Sequence, residues 1–211
     1  ERIIEQSTPK TLHRASPNWQ KLPTDRESGV SLVDIKESTK SMRDIILDEN
    51  LSTQIELIIK EYKYRERLYA YGLSPKRKLL FAGLPGTGKT LLCEVLATEL
   101  NLPILYTRFD SVVSSYLGET AANLRKIFDF ASKGKWIVFF DEFDAIGKSR
   151  EDQYEHGELK RVVNTFLQLL DNFESESLFV AATNHENLLD RALWRRFDDI
   201  LFFSLPDKNA I

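Results

Sequence analysis

The 211-residue sequence has one cysteine, Cys93, so no disulfide can form within the chain. That suits a reducing compartment, and the expected location is the cytoplasm. No apolar run approaches the roughly 20 residues that span a bilayer. No secretory leader is visible either, although the chain opens on Glu1 instead of methionine. Net charge is only −3, which gives no global attraction to nucleic acid. With one cysteine and three histidines there is no clustered ligand set for a structural metal. Internal repeats and low-complexity tracts are lacking as well. What is present is 42% hydrophobic residues, enough for one globular domain with a substantial core.

Residues 1–29 are polar and punctuated by Pro9, Pro17, Pro23 and Gly29. They are expected to form an extended arm or linker, with the folded core over 30–211. Val30 to Ile35 alternates loosely, as a short strand or edge segment would, and Ser38 to Leu47 is ambiguous. Thr53 and Glu56 have capping-box spacing and predict a helix over 53–70, with Ile55, Ile58, Ile59, Tyr62 and Leu68 on one face. Gly72 and Pro75 end it.

The most informative stretch is Leu79 to Thr90. A short apolar run, Lys78 to Ala82, has the look of a buried strand. Gly83-x-x-x-x-Gly88-Lys89-Thr90 follows, and then an apolar-periodic helix through Leu91, Leu92, Val95, Leu96 and Leu100. Glycines let the backbone curl until successive N–H groups face an anion, and the helix start adds its positive end. Lys89 is placed to reach β- and γ-phosphates, and the Thr90 hydroxyl to hold Mg²⁺. Gly83, Pro85, Gly86, Thr87, Gly88, Lys89, Thr90 and Leu91 are the candidate nucleotide-binding residues.

Further strands are expected at Pro103–Thr107, Trp136–Phe140, Leu178–Ala182 and Ile200–Phe203, with helices at Thr120–Ser132 and Gly157–Leu170. This alternation predicts a doubly wound α/β sheet with helices on both faces. Trp136 to Phe140 runs straight into Asp141 and Glu142. In such sheets ligands sit at the carboxyl ends of strands, so Asp141 would emerge beside the phosphate loop and hold Mg²⁺ through water. Glu142 is placed to polarise an attacking water.

Together these segments resemble the AAA+ ATPases, specifically the AAA family that includes katanin, spastin and the membrane-bound AAA proteases. The resemblance covers residues from about 51 to 208. Gly83–Thr90 looks like Walker A, Ile137–Glu142 like Walker B, and Phe143-Asp144-Ala145-Ile146 continues the family pattern. It implies a P-loop NTPase fold with a five-stranded parallel sheet in the order 5-1-4-3-2, ATP or ADP and Mg²⁺ as cofactors, and a ring-shaped homo-hexamer. Ala181–Asn184 looks like sensor 1, which implies that Asn184 orients the attacking water. Leu189–Asp198 looks like the arginine-finger segment; the family usually has two more residues between its arginines, whereas Arg195 and Arg196 are adjacent. Which of them reaches a neighbouring subunit is left open. Ser115–Glu119 resembles a pore loop, implying that Tyr116 and Leu117 grip a protein substrate. Asp171-Asn172-Phe173 stands where the family often has Asp-Gly-Phe, with Asn able to take a positive φ in place of Gly.

The family core is followed by a helical lid. The chain stops at Ile211 before one, and is expected to be a fragment. The expected function is Mg²⁺-dependent ATP hydrolysis that remodels, unfolds or translocates a protein. Two alternatives stay open: a DNA-acting relative of the loader or transposition-regulator type, and an ATP-gated scaffold with little turnover. The acidic balance and Tyr116 argue against the first, and the intact Asp141-Glu142 pair against the second.

Overall fold

The computed structural model describes residues 22–26, 28–108, 112, 117–145, 156–185 and 191–205. Among them the sheet has six strands: β1 (Asp34–Lys36), β2 (Lys78–Gly83), β3 (Ile104–Arg108), β4 (Ile137–Asp141), β5 (Leu178–Thr183) and β6 (Asp199–Phe203). Their spatial order is β1-β3-β4-β5-β2-β6. The five strands β2 to β6 pair in parallel, in the order expected from the resemblance. The expectation of five strands is corrected to six. β1 adds antiparallel to β3, pairing Asp34 with Tyr106, Ile35 with Leu105 and Lys36 with Ile104. The short strand or edge segment expected over Val30 to Ile35 forms later in the chain, at Asp34–Lys36, where the free edge of β3 pairs with it.

The helices are α1 (Glu49–Lys63), α2 (Arg65–Ala70), α3 (Lys89–Leu100), α4 (Leu117–Ala131), α5 (His156–Asp171) and a short α6 (Arg191–Trp194). The helix expected over 53–70 begins earlier and is broken. Asp48, not Thr53, caps α1, its carboxylate accepting the Leu51 N–H at 2.7 Å. The Thr53 hydroxyl instead donates to the Glu49 carbonyl inside the helix. Tyr64, at φ −103° and ψ 18°, separates α1 from α2.

The sheet separates two cores. On one side α1 and α3 pack Ile55, Ile58, Leu92, Val95 and Leu96 against Leu79, Phe81, Phe139 and Val180. On the other, α4 and α5 pack Leu124, Phe128, Phe166 and Leu170 against Leu80, Phe140 and Phe179. Covered faces on both sides explain why the central strands β4 and β5 read as unbroken apolar runs. The second core is rich in phenylalanine, with Phe128, Phe140, Phe166 and Phe179 within 5.2–6.0 Å of one another by ring centroid. Residues before β1 join this side. Asn123 on α4 donates to Asp25 at 2.8 Å, and Lys126 donates to the Thr24 carbonyl at 3.0 Å. Trp19 and the rest of 1–21 lie outside the described residues.

No helix among the described residues is long and apolar enough to cross a membrane.

Candidate nucleotide site

β2 ends at Gly83, and the next five residues turn the chain into α3. Gly88 forms the N-cap at φ 96°, a left-handed geometry that costs an L-residue about 1–2 kcal/mol. Gly83 is needed for a different reason. A Cβ there would overlap the Phe203 carbonyl oxygen and sit 2.8 Å from the Phe203 Cβ, so only glycine lets β6 approach. Thr87 braces the loop by donating its hydroxyl to the Leu84 carbonyl at 2.8 Å. No side chain caps α3, and no acidic residue lies in its first turn. Its free N–H groups and positive end therefore face the loop uncompensated, as an anion site requires.

Pro85, Gly86, Gly88, Lys89, Thr90, Leu91, Asp141, Glu142 and Asn184 line one cleft of about 360 Å³ at the carboxyl edge of the sheet. Residues from β2, β4 and β5 meet there because those strands are adjacent and parallel. Lys89 is buried, at 7% exposure, and its ammonium donates to the Gly83 and Leu84 carbonyls at 2.7 and 2.8 Å. Burial pushes its pKa below the usual lysine value, against the opposing pull of Asp141 and Asp144. It stays within reach of anything held by the loop.

Asp141 is half-buried at the end of β4. Its Oδ1 accepts the Glu142 N–H at 2.9 Å, and its Oδ2 accepts the Tyr106 hydroxyl at 2.8 Å. Glu142 is exposed and takes φ 53°, a left-handed backbone for a non-glycine residue. The Phe143 N–H, bonded to the Ala182 carbonyl at 2.8 Å, fixes that turn from the β5 side. Strain of about 1–3 kcal/mol at such a position is typical of functional sites. The Asn184 N–H donates to the buried Asp144 carboxylate at 3.3 Å, which ties the end of β5 to the segment after β4.

The donor set fits Mg²⁺. Thr90 and Asp141 supply hard oxygens in one cleft, and two protein oxygens suit an ion that keeps several waters and substrate phosphates. No cluster of three or more His, Cys, Asp or Glu residues able to hold a metal occurs among the described residues.

The family model for the "ATPase family associated with various cellular activities (AAA)" matches residues 79–205, more than half of the chain. The chain belongs to the AAA family of ATPases. An AAA family ATPase of Sinorhizobium fredii, y4kL, is 39% identical over all of this chain and 66% of its own length. A putative 26S proteasome regulatory subunit homolog of Methanothermobacter thermautotrophicus is 34% identical over 81% of this chain and 46% of its own. The peroxisomal ATPase PEX6 of Saccharomyces cerevisiae is 35% identical over 68% of this chain and 15% of its own. The chain therefore spans from about two-thirds down to a small part of these relatives' lengths.

Arg195 and Arg196 of this AAA domain occupy different settings. Neither lines the cleft. Arg195 is exposed, and its side chain makes no hydrogen bond or ion pair among the described residues. Arg196 pairs with Asp171, its Nε 2.8 Å from the carboxylate. Asn172 does not take the positive φ allowed for it; its N–H bonds to the Gln168 carbonyl at 3.1 Å and extends the helical turn. Tyr116 lies outside the described residues, and Leu117 is the first residue of α4.

Contacts made by three residues, Tyr106 and Ile45 around the cleft and Asp171 beside Arg196, carried no signal in the sequence. Tyr106 reaches Asp141 only through the β3–β4 register. Asp171 was noted for its turn, not as a partner for Arg196. Ile45, in the ambiguous 38–47 stretch, would lie 3.6 Å from a Cβ on Gly88, so it walls the phosphate loop. A lone apolar residue in an irregular segment carries no periodic signal that could have identified it.

Proposed function

We propose that this AAA domain binds ATP with Mg²⁺ in the cleft and hydrolyses its β–γ phosphoanhydride. The observation that carries the reading is the convergence of Lys89, Thr90, Asp141, Glu142 and Asn184 at the uncapped start of α3. Lys89 exchanges its loop carbonyls for the β- and γ-phosphates, and the backbone N–H groups from Gly86 to Thr90 hold the remaining phosphate oxygens. Thr90 and Asp141 hold Mg²⁺, which when bound neutralises charge on the phosphates. Glu142 takes the proton of the attacking water, and Asn184 orients that water. Pro85 and Leu91 line the cleft beside the nucleotide.

In the whole protein we assign the missing positive charge at the γ-phosphate to an arginine of a neighbouring subunit, within a homo-hexamer. The exposure of Arg195 away from its own cleft supports that role, and Arg196 takes the secondary one. Relatives named as a putative 26S proteasome regulatory subunit homolog, a peroxisomal ATPase and, in FTSH 7 of Oryza sativa, an ATP-dependent zinc metalloprotease, support remodelling or translocation of a protein substrate. Tyr116 and Leu117 are proposed to grip it. A cytoplasmic location rests on the solitary buried Cys93.

The test is phosphate release from ATP and Mg²⁺ by wild type and Glu142→Gln, with nucleotide binding measured in parallel. Binding by both and release by wild type alone is expected, with turnover falling about 10²- to 10⁴-fold. Equal release by the two proteins removes Glu142 from the base role.

A further inference from the structure

Asp141 is gripped from two sides. Its own strand end supplies the Glu142 N–H to Oδ1, and the neighbouring strand supplies the Tyr106 hydroxyl to Oδ2. Tyr106 is held in turn. Its ring lies 5.6 Å from that of Phe139, and the Lys36 ammonium stands 3.4 Å above its centroid. Lys36 comes from β1, the antiparallel edge strand, and is paired with Ile104, two residues before Tyr106. Diagonal neighbours of this kind share a face of the sheet and lie within reach of long side chains. Asp141 is likewise diagonal to Tyr106, since Arg108 pairs with Asp141 and Tyr106 with Phe139.

We propose that Tyr106, backed by Lys36, is a positioning residue that orients the Asp141 carboxylate and thereby sets the metal affinity of the nucleotide site. This rests on the reading of Asp141 as a Mg²⁺-holding residue. A carboxylate with a donor on each oxygen cannot turn about its Cβ–Cγ bond, yet each oxygen keeps a second lone pair for a metal-bound water. The cation over the ring draws electron density from the phenol and strengthens its O–H as a donor. Partners of this outer kind typically change metal affinity 10- to 100-fold when removed. The edge strand is then more than a cover for β3: it carries the charge that tunes the hydrogen bond to Asp141.

The probe is Mn²⁺, a paramagnetic stand-in for Mg²⁺, titrated into the ADP complex of the full chain and followed by electron paramagnetic resonance. ADP affinity is measured separately in EDTA. Tyr106→Phe is expected to weaken Mn²⁺ binding about tenfold while leaving metal-free ADP affinity within about twofold of wild type. Lys36→Met, an exposed edge substitution that cannot disturb the core, is expected to weaken it about threefold. Asp141→Asn is the reference. If Asp141→Asn weakens Mn²⁺ binding while Tyr106→Phe and Lys36→Met match wild type or bind tighter, the positioning role is overturned and Asp141 keeps its own. If Asp141→Asn itself binds Mn²⁺ like wild type, the reading of Asp141 fails and this inference with it. A loss of metal-free ADP affinity in Tyr106→Phe equal to the loss with Mn²⁺ marks a general structural defect, and also overturns the proposal.

Discussion

Replacing Lys89 by Met separates its two possible roles, holding the loop and holding the nucleotide. In the ligand-free chain the ammonium makes two short hydrogen bonds, to the Gly83 and Leu84 carbonyls. Bonds to a charged group contribute about 1.5–3 kcal/mol each, so the gross gain is about 3–6 kcal/mol. Stripping water from the ammonium costs several kcal/mol. Burial also lowers its pKa despite the pull of Asp141 and Asp144, so the site penalises the charged form. Methionine has a similar length and no charge to desolvate, and water can reach the carbonyl of exposed Leu84. The ligand-free stability of Lys89→Met is therefore expected to stay within about 1 kcal/mol of wild type, a melting shift under about 4 °C. ATP affinity is expected to fall by about 10² to 10⁴, the loss of two charge-assisted bonds to phosphate.

The same residue sets a pH dependence. Below its lowered folded pKa, Lys89 is protonated in both the folded and the unfolded chain and contributes no slope. Between that value and the ordinary 10.5, the unfolded chain binds the extra proton, so wild-type stability rises with pH. Lys89→Met lacks this rise, and wild type gains on it as pH climbs toward 10.5. Thermal melts without nucleotide across alkaline pH, with titration calorimetry of ATP and Mg²⁺ at neutral pH, measure both effects. Unchanged ATP affinity would refute the nucleotide role. A ligand-free loss above about 3 kcal/mol would refute the balance of burial against hydrogen bonding.

Gly83→Ala is expected to destabilise the fold by about 1–3 kcal/mol, because the new methyl group meets backbone of β6 that cannot move alone; denaturant unfolding checks it. Glu142→Gly is expected to raise the ligand-free melting temperature by about 2–4 °C through relief of the left-handed backbone, seen by calorimetric scanning, even as turnover is lost. Arg195→Ala is expected to leave stability within about 0.5 kcal/mol. Arg196→Ala, which breaks the pair with Asp171, is expected to cost up to about 1 kcal/mol by denaturant titration. In the full-length assembly Arg195→Ala is expected to show the larger fall in turnover with normal ATP binding. Mixing it with Glu142→Gln should restore part of the activity, since some interfaces then pair an intact arginine with an intact glutamate. No rescue on co-assembly would argue against an arginine acting between subunits.

The phosphate loop, the helix after it and the apolar strands were legible in the sequence because their signals are local. Gly83, Gly88, Lys89 and Thr90 lie within eight residues, and their spacing alone dictates a curled backbone ahead of a helix start. The continuous apolar runs of β4 and β5 announced strands covered on both faces. The strand order came from the resemblance, not from any pattern in the residues. Other features depended on contacts between distant segments. β1 exists because β3 has a free edge. α1 starts at Glu49, ahead of Thr53, because the Asp48 carboxylate caps it while the Thr53 hydroxyl bonds within the helix. Tyr106 meets Asp141 across 35 positions, and Asp171 meets Arg196 across 25, so strand register and helix placement decide those pairs. The left-handed turn at Glu142 is similar: its neighbour's N–H is held by Ala182 on another strand. Local spacing determined which residues curl ahead of α3, whereas only the packed sheet decided which side chains stand around them.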